Sequence, residues 1–370
     1  MTMQARQGYS VATDPHDAIK QIAEQIGTAD LDAMVFFCSP DYDLDALALE
    51  IARVFTCPVT GCTSAGHIGR DGYRSDGINA LGFAGGQLEF RTYLIQPLAE
   101  CAAQSILIAA SEQEQCGTSC TRLGLLLLDG LSNAEERVAS ALYQALDNIP
   151  FIGASAGDNL KFERTHVYHQ GRFLHDAAVF SVIQTQVPFA LFKLQDFVPG
   201  PERLVITDSD PDRRIIREIN GLPAAEAYAE IVGVAVADLD ARVFARYPLA
   251  LSIGDDVFLR AIQRVLPDHS FSCSCAIDTG LVVSVARSVD PIDAINRAFA
   301  EVRRKIGAPE IVIGSDCVHR RLDFENAGRL DEVGALLAQH RVFGFSTYGE
   351  QFNALHINHT FTGIAIGRSS

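Results

Sequence analysis

The feature that most constrains this chain is a repeat. Residues Met34 to Ile68, MVFFCSPDYDLDALALEIARVFTCPVTGCTSAGHI, align without a gap on Leu125 to Asn159, LLLLDGLSNAEERVASALYQALDNIPFIGASAGDN, at an offset of 91 residues. Each window opens on a short apolar run of the kind a buried strand needs. A polar turn follows, then apolar residues at roughly helical spacing: Leu47, Ile51 and Val54 in one, Val138, Leu142 and Leu146 in the other. Pro58 or Pro150 marks the helix end. A second short strand then runs into Ser64-Ala65-Gly66 or Ser155-Ala156-Gly157. Strand, helix and strand within about 30 residues make a βαβ unit with parallel strands. A third, looser copy lies near the C-terminus. EIVIGSDCVHR supplies its first strand and turn, GRLDEVGALLAQHR its helix, and VFGFSTYGEQ its second strand and turn. Gly344, Ser346 and Gly349 occupy the places of Gly61, Thr63 and Gly66.

The repeat decides how GASAG, Gly153 to Gly157, is to be read. It matches G-x-S-x-G, the nucleophile elbow of serine hydrolases, but that motif needs a helix directly after the serine. Here the chain continues DNLKFERTHVYHQGRFLHDAAVFSVI, which reads as polar turn, strand, HQGR hairpin turn and strand. The first copy continues in the same way and reads CTSAG. Small residues at these corners let a strand end turn sharply and let backbone approach a ligand or a neighbouring strand.

Pro199, Gly200 and Pro201 mark a boundary, giving domains 1–199, with two βαβ-meander repeats, and 200–370. Beyond it, VIT…IIREINGLPAAEAYAEI reads as two strands, an Asn220-Gly221 turn and a helix opened by Pro223. A meander of short strands follows, then the amphipathic helix DPIDAINRAFAEVRRKIG and a final strand in ALHINHTFTGIAIG. The expected fold is α/β, in two related halves with mixed parallel and antiparallel sheets built from repeated βαβ units plus β-meanders.

Composition narrows the function classes. A net charge of −16 repels phosphate backbones and anionic lipid, so nucleic acid and membrane surfaces are not expected partners. The start of the chain has no apolar stretch to act as a signal peptide, and the longest apolar run, LGLLLLDGL, is too short for a membrane span. Nine cysteines, mostly inside apolar runs, read as free thiols of a cytoplasmic protein. No glycine turn has the form of a phosphate loop or of a dinucleotide fingerprint.

In order along the chain, GCTSAGHI, IGASAGD, THVYHQGRFLHDAAV, EINGLPAAEAY, SDCVHRRL, GFSTYGEQ and NHTFTGIAI resemble the landmarks of FIST-domain proteins. The resemblance runs from about Met34 to Ile366 and covers an N-terminal and a C-terminal FIST region. It implies a signal-input module, not an enzyme, that senses a small ligand and passes its state to a histidine kinase or a cyclic-di-GMP enzyme. One branch, the nitric-oxide-sensing NosP proteins, carries haem b. No kinase, GGDEF-like or DNA-binding segment is apparent, so the expected partner is a separate chain. The family's last motif reads His-Asn-Gln-Thr. Here it reads Ile357-Asn358-His359-Thr360, with His356 one position earlier.

A haem reading needs an axial ligand, a neutral histidine or a thiolate. There is no Cys-x-x-Cys-His, so covalent attachment is excluded. His356 or His359 is the candidate ligand. Three apart on a strand-like segment, they are expected to face opposite sides. His67 and His319 stand at turns and are expected to be solvated, and His166 and His169, by a hairpin turn, to be superficial. Cys57-Pro58 matches a haem-regulatory dipeptide, and Cys273-x-Cys275 places two thiols on one strand face with no second pair for zinc. Glu350 and Tyr348, beside the third glycine corner, are candidates to meet a polar ligand. Cys317 and Arg320 follow the third copy's first strand, at the rim where ligand crevices form beside parallel strands, and Arg320 is the expected anchor for an anionic group. With Thr360 and the corner residues Ser64 and Ser155, these complete the candidate binding set. Haem reporting nitric oxide is the first ligand reading. An amino acid or other small metabolite without haem is the second, a hydrolase using Ser155 the third, and a scaffold without a ligand the fourth.

Overall fold

The computed structural model describes residues 2–115, 121–146, 149–254 and 256–368. Three copies of one topology make up the body. The first comprises edge strand Gln4–Ser10, helix Pro15–Ile26, strand Leu31–Cys38, helix Leu44–Val54, strand Val59–Thr63, hairpin His67–Gly69 with Gly72–Arg74, and closing strand Ile78–Ala84. The second repeats that order from Leu88–Ile95 to Ala178–Thr185. The third starts at Phe189–Leu194, resumes with helix Pro291–Ile306 and ends at Phe361–Ile366. Its SDCVHRRL segment is not the expected turn but the helix Val318–Asn326, which directly follows strand Ile311–Cys317.

Each copy pairs its two inner strands in parallel, as the repeat predicts. Met34 faces Val59, Gly124 faces Phe151, and Val312 faces Val342. The hairpins leave their own sheets. That of the first copy pairs with strand Val342–Thr347, that of the second with Val59–Thr63, and that of the third with Phe151–Ser155. This cyclic exchange ties three six-stranded mixed sheets into one body.

One face of every sheet meets a shared core, where Val35, Phe37, Leu125, Leu127, Ile313 and Phe345 come together. Phe37 stacks on Phe345 at 4.1 Å between ring centroids. The other face lies under that copy's own helices, with Ile22, Leu47 and Ile51 on the first and Val138 and Leu142 on the second. Burial on both faces explains why these strands are apolar runs and do not alternate.

Between strand Phe189–Leu194 and helix Pro291–Ile306 the chain builds a separate nine-stranded sheet, from Phe197–Pro199 to Val282–Ser288. It packs around its own core of Ile206, Ile216, Tyr228, Phe244 and Phe271. The entering and leaving strands are joined at their root, where Val289 N–H donates to the Asp196 carbonyl at 2.6 Å. Among the described residues no helix is long and apolar enough to cross a membrane, and the seven described cysteines are free.

Candidate functional site

The three glycine corners meet one another through backbone. Ala65 N–H donates to the Ser346 carbonyl, Gly157 N–H to Thr63, and Ser155 N–H to Gly349. A Cβ on Gly157 would stand 2.7 Å from Ala65 N, so the small residue is required for this approach. Strand Phe151–Ser155 is followed by coil and then a hairpin, not by a helix.

Each corner carries a buried polar side chain just past its glycine. His67 Nδ1 lies 3.2 Å from Ser64 Oγ, and its Nε2 lies 3.2 Å from the Gly77 carbonyl. Burial holds the imidazole down at about 4, so it is neutral. Glu350 accepts hydrogen bonds from the hydroxyls of Thr347 and Thr360. Burial pushes its carboxyl up to about 8, against the pull of those two bonds. Asp158 accepts the N–H groups of Phe162, Glu163 and Arg164 at 2.7–2.9 Å, and the hydroxyl of Tyr348. The loop wrapped around Asp158 holds Asn159, Leu160 and Phe162 at φ of 56°, 63° and 52°, a strained backbone for such residues.

That loop forms one wall of a cavity of about 440 Å³ between the body and the inserted sheet. The body contributes Gly130, Leu131, Phe162, Glu163 and Tyr348, with the Phe162 ring stacked on Tyr348 at 4.8 Å. The inserted sheet contributes Asp212, Arg213, Arg214, Arg264 and the strand end at Ser272 to Ser274. Arg214 is held by Glu135 at 2.6 Å and by Glu136, and Glu136 also accepts Ala276 N–H at 2.7 Å. The side chains of Arg213 and Arg264 have no partner among the described residues. The cavity therefore presents two free guanidiniums, two carboxylates (Glu163 and Asp212) and an aromatic pair.

Of the residues expected from sequence, Tyr348 alone lines this cavity. Ser64, Ser155, Glu350 and Thr360 are buried in the corners, which position the rim. Arg320 is not an available anion anchor. Its guanidinium is buried and already held by Asp316 at 2.6 Å and by Asp196. His67 and His319 are buried, not solvated, and His166 and His169 are half-buried. His356 and His359 do not share a strand. His356 ends hairpin strand Leu355–Ile357, whereas His359 sits in the following turn at φ 52°.

The arrangement does not fit an axial haem ligand. His356 Nε2 lies 3.1 Å from the Ser274 carbonyl and Nδ1 3.0 Å from Gln351 Nε2, so the first donates, the second accepts and no lone pair is left. His359 has two unpartnered nitrogens, but its ring is fully buried, stacked on His319 at 4.7 Å and met edge-on by Phe197. Cys317 is sealed, and burial raises its thiol well above the ordinary value, away from a ligating thiolate.

Sequence reasoning missed Phe162, Arg213 and Arg264. The visible signal was the polar DNLKFER after GASAG and the arginine pair after DSDPD, which nothing in one dimension brings together.

The FIST N domain matches residues 32–222, more than half of the chain, and the FIST C domain matches residues 224–353. The chain belongs to the FIST family. FIST domains are sensor modules of signal transduction that bind small ligands. A stretch of 110 residues is 26% identical to an uncharacterized protein of Methanocaldococcus jannaschii, covering 30% of this chain and 21% of that protein, so the match spans about a fifth of the relative. Among solved structures, cyanuric acid hydrolase from A. caulinodans aligns over 50% of this chain and 71% of its own, with a TM-score of 0.27 and 8% identity.

Proposed function

We propose that this FIST protein is a sensor for a small zwitterionic metabolite of the amino-acid class, bound between the body and the inserted sheet. The observation that carries the reading is the cavity, whose two walls belong to units with separate cores. Arg213 and Arg264 suit a carboxylate, Glu163 and Asp212 suit an ammonium, and the Phe162–Tyr348 pair offers an aromatic surface. A ligand touching both walls favours one seating of the sheet on the body over others, which is what a signal requires. The strand end at Ser274 is bonded to His356 and thence through Gln351 to Ser155 at a corner, so a shift in the sheet reaches the body. The receiving partner in this reading is a separate histidine kinase or cyclic-di-GMP enzyme.

Thermal-shift screening of the free amino acids and related zwitterions tests the site, because a ligand that binds the folded state raises the melting temperature. At least one member is expected to do so, and the shift is expected to vanish in Arg213→Ala/Arg264→Ala. A panel without any shift, or a shift that survives both substitutions, overturns the reading.

A further inference from the structure

One helix sets the second repeat apart from the other two. The helix before the first inner strand is Pro15–Ile26 in the first repeat, Cys101–Glu114 in the second and Pro291–Ile306 in the third. Each buries one side on its own sheet, through Ile22, Ile108 and Phe299 respectively. The outer sides of the first and third are charged, with Asp17, Lys20 and Glu24 exposed on one and Asp293, Arg297, Glu301 and Arg304 on the other. The outer side of the second is apolar. Ala103, Ile106, Leu107 and Ala110 are exposed at spacings of three and four, which place them in one stripe. Ile106 is 64% exposed and Leu107 69%. The topology does not require this, since two copies of it carry charge there. A helix that is apolar on both sides is ordinarily covered, and among the described residues nothing covers this stripe.

We propose that a second copy of this chain covers it, in a weak two-fold dimer that pairs the two Cys101–Glu114 helices antiparallel. The stripe matches itself. A two-fold axis between Ile106 and Leu107 sets Ile106 against Leu107 of the other copy and Ala103 against Ala110, the self-complementarity that an isologous contact needs. Charge favours the same face. The chain carries −16, so like copies repel, and from Ala102 to Ala110 the helix has no charged residue. The area sets the strength. The helix is about 21 Å long and about 10 Å wide, and helix Glu135–Ala145 packs beside it with Tyr143 exposed. Together they offer about 400 Å² of face, against about 800 Å² per partner in a standard stable complex. A reversible pair fits that area and an obligate one does not. Glu135 and Glu136, which hold Arg214 of the inserted sheet, open that neighbouring helix, so the dimer face and the sensor cavity share one element. The dimer does not depend on the sensor reading.

Sedimentation velocity of the full chain from about 1 μM to about 1 mM tests the proposal. A concentration-dependent shift from monomer to dimer is expected. Ile106→Glu/Leu107→Glu, at two exposed positions, is expected to weaken association by about tenfold or more while circular dichroism shows an intact fold. Leu49→Glu, an equally exposed leucine on helix Leu44–Val54 of the first repeat, is expected to leave it unchanged. A charge pair checks the register. Ala103→Lys/Ala110→Lys sets lysine against lysine across the two-fold and is expected to give monomers, whereas Ala103→Lys/Ala110→Glu sets lysine against glutamate and is expected to dimerise again. Monomers of the parent throughout the range overturn the proposal and leave the face to a different chain. Association that survives Ile106→Glu/Leu107→Glu, or equal behaviour of the two charge pairs, overturns it as well.

Discussion

The first and third glycine corners solve one packing problem with opposite chemistry. Both place a polar side chain just past the glycine, bond it three residues back to a hydroxyl (Ser64 or Thr347), and bond it forward to the residue preceding the closing strand, Gly77 or Thr360. One uses a neutral imidazole, the other a carboxyl that burial keeps protonated. Such a buried corner requires hydrogen bonding without net charge, and either group supplies it in the appropriate protonation state. The two corners also differ in how they are anchored. The third is backed by a sealed ion cluster in which Arg320 joins Asp316 to Asp196, at the root of the inserted sheet, while Tyr73 donates to Asp316. The first receives Arg321, whose guanidinium donates to the Ala65 carbonyl at 2.9 Å from a partly exposed position.

The largest effect expected follows from that anchoring. Arg320→Ala leaves two buried carboxylates facing each other and is expected to cost about 3–5 kcal/mol in urea denaturation. Arg321→Ala, one residue along the same helix, is expected to cost about 1 kcal/mol, because solvent can replace its bond. Equal losses would mean that the two corners are anchored alike.

Much of this fold was legible in the sequence, since burial on both faces writes each inner strand as an apolar run and the 91-residue offset repeats the whole pattern. The corners were legible as turns but not as buried polar centres. Nothing in SAGHI or TYGEQ states that a hairpin leaves its own sheet and seals His67 or Glu350 against a neighbour. Arg320 looked like a rim residue for the same reason, because its two carboxylate partners lie at sequence separations of 4 and 124. The cavity needed the inserted sheet to fold back over the loop 158–164, a relation carried by no local pattern.

The pH dependence sharpens the contrast, with opposite signs at the two corners. The folded-state pKa of Glu350 is raised, so the stability it confers is full below its ordinary 4.5 and is lost as pH rises through about 8. Glu350→Gln is expected to remove that alkaline loss, on the order of a few kcal/mol, and to be more stable than the parent above this window. The folded-state pKa of His67 is lowered, so its contribution is full above 6.5 and is lost as pH falls through about 4. His67→Gln is expected to flatten part of the acid limb, by about 2–3 kcal/mol. Other groups share the limb, among them His319 and His340, each held at about 4 by burial, and His359, lowered well below its ordinary value by burial and then by His319 and the charge of Arg320. Chemical denaturation across pH measures both limbs. Identical profiles for the two variants would erase the proposed difference between the corners.

The smallest effect concerns the serines that open the first two corners. Ser64 Oγ lies 3.3 Å from the Cys38 carbonyl and 3.2 Å from His67 Nδ1, whereas Ser155 Oγ accepts from Gln351 Nε2 at 3.2 Å. Each Ser→Ala substitution is expected to cost about 1 kcal/mol, the worth of one hydrogen bond. Neither serine is expected to react with a fluorophosphonate probe. A nucleophilic serine needs a base that takes its proton at the moment of attack and a path for the electrophile. Ser155 is fully buried, and Gln351 stands between its hydroxyl and His356. Ser64 does meet an imidazole directly, but both groups are buried and the other ring nitrogen is bonded to a carbonyl, with no carboxylate behind it. Labelling of the native protein that disappears in Ser64→Ala would show that the first corner opens to solvent, and would turn the likeness between corners into a difference of function.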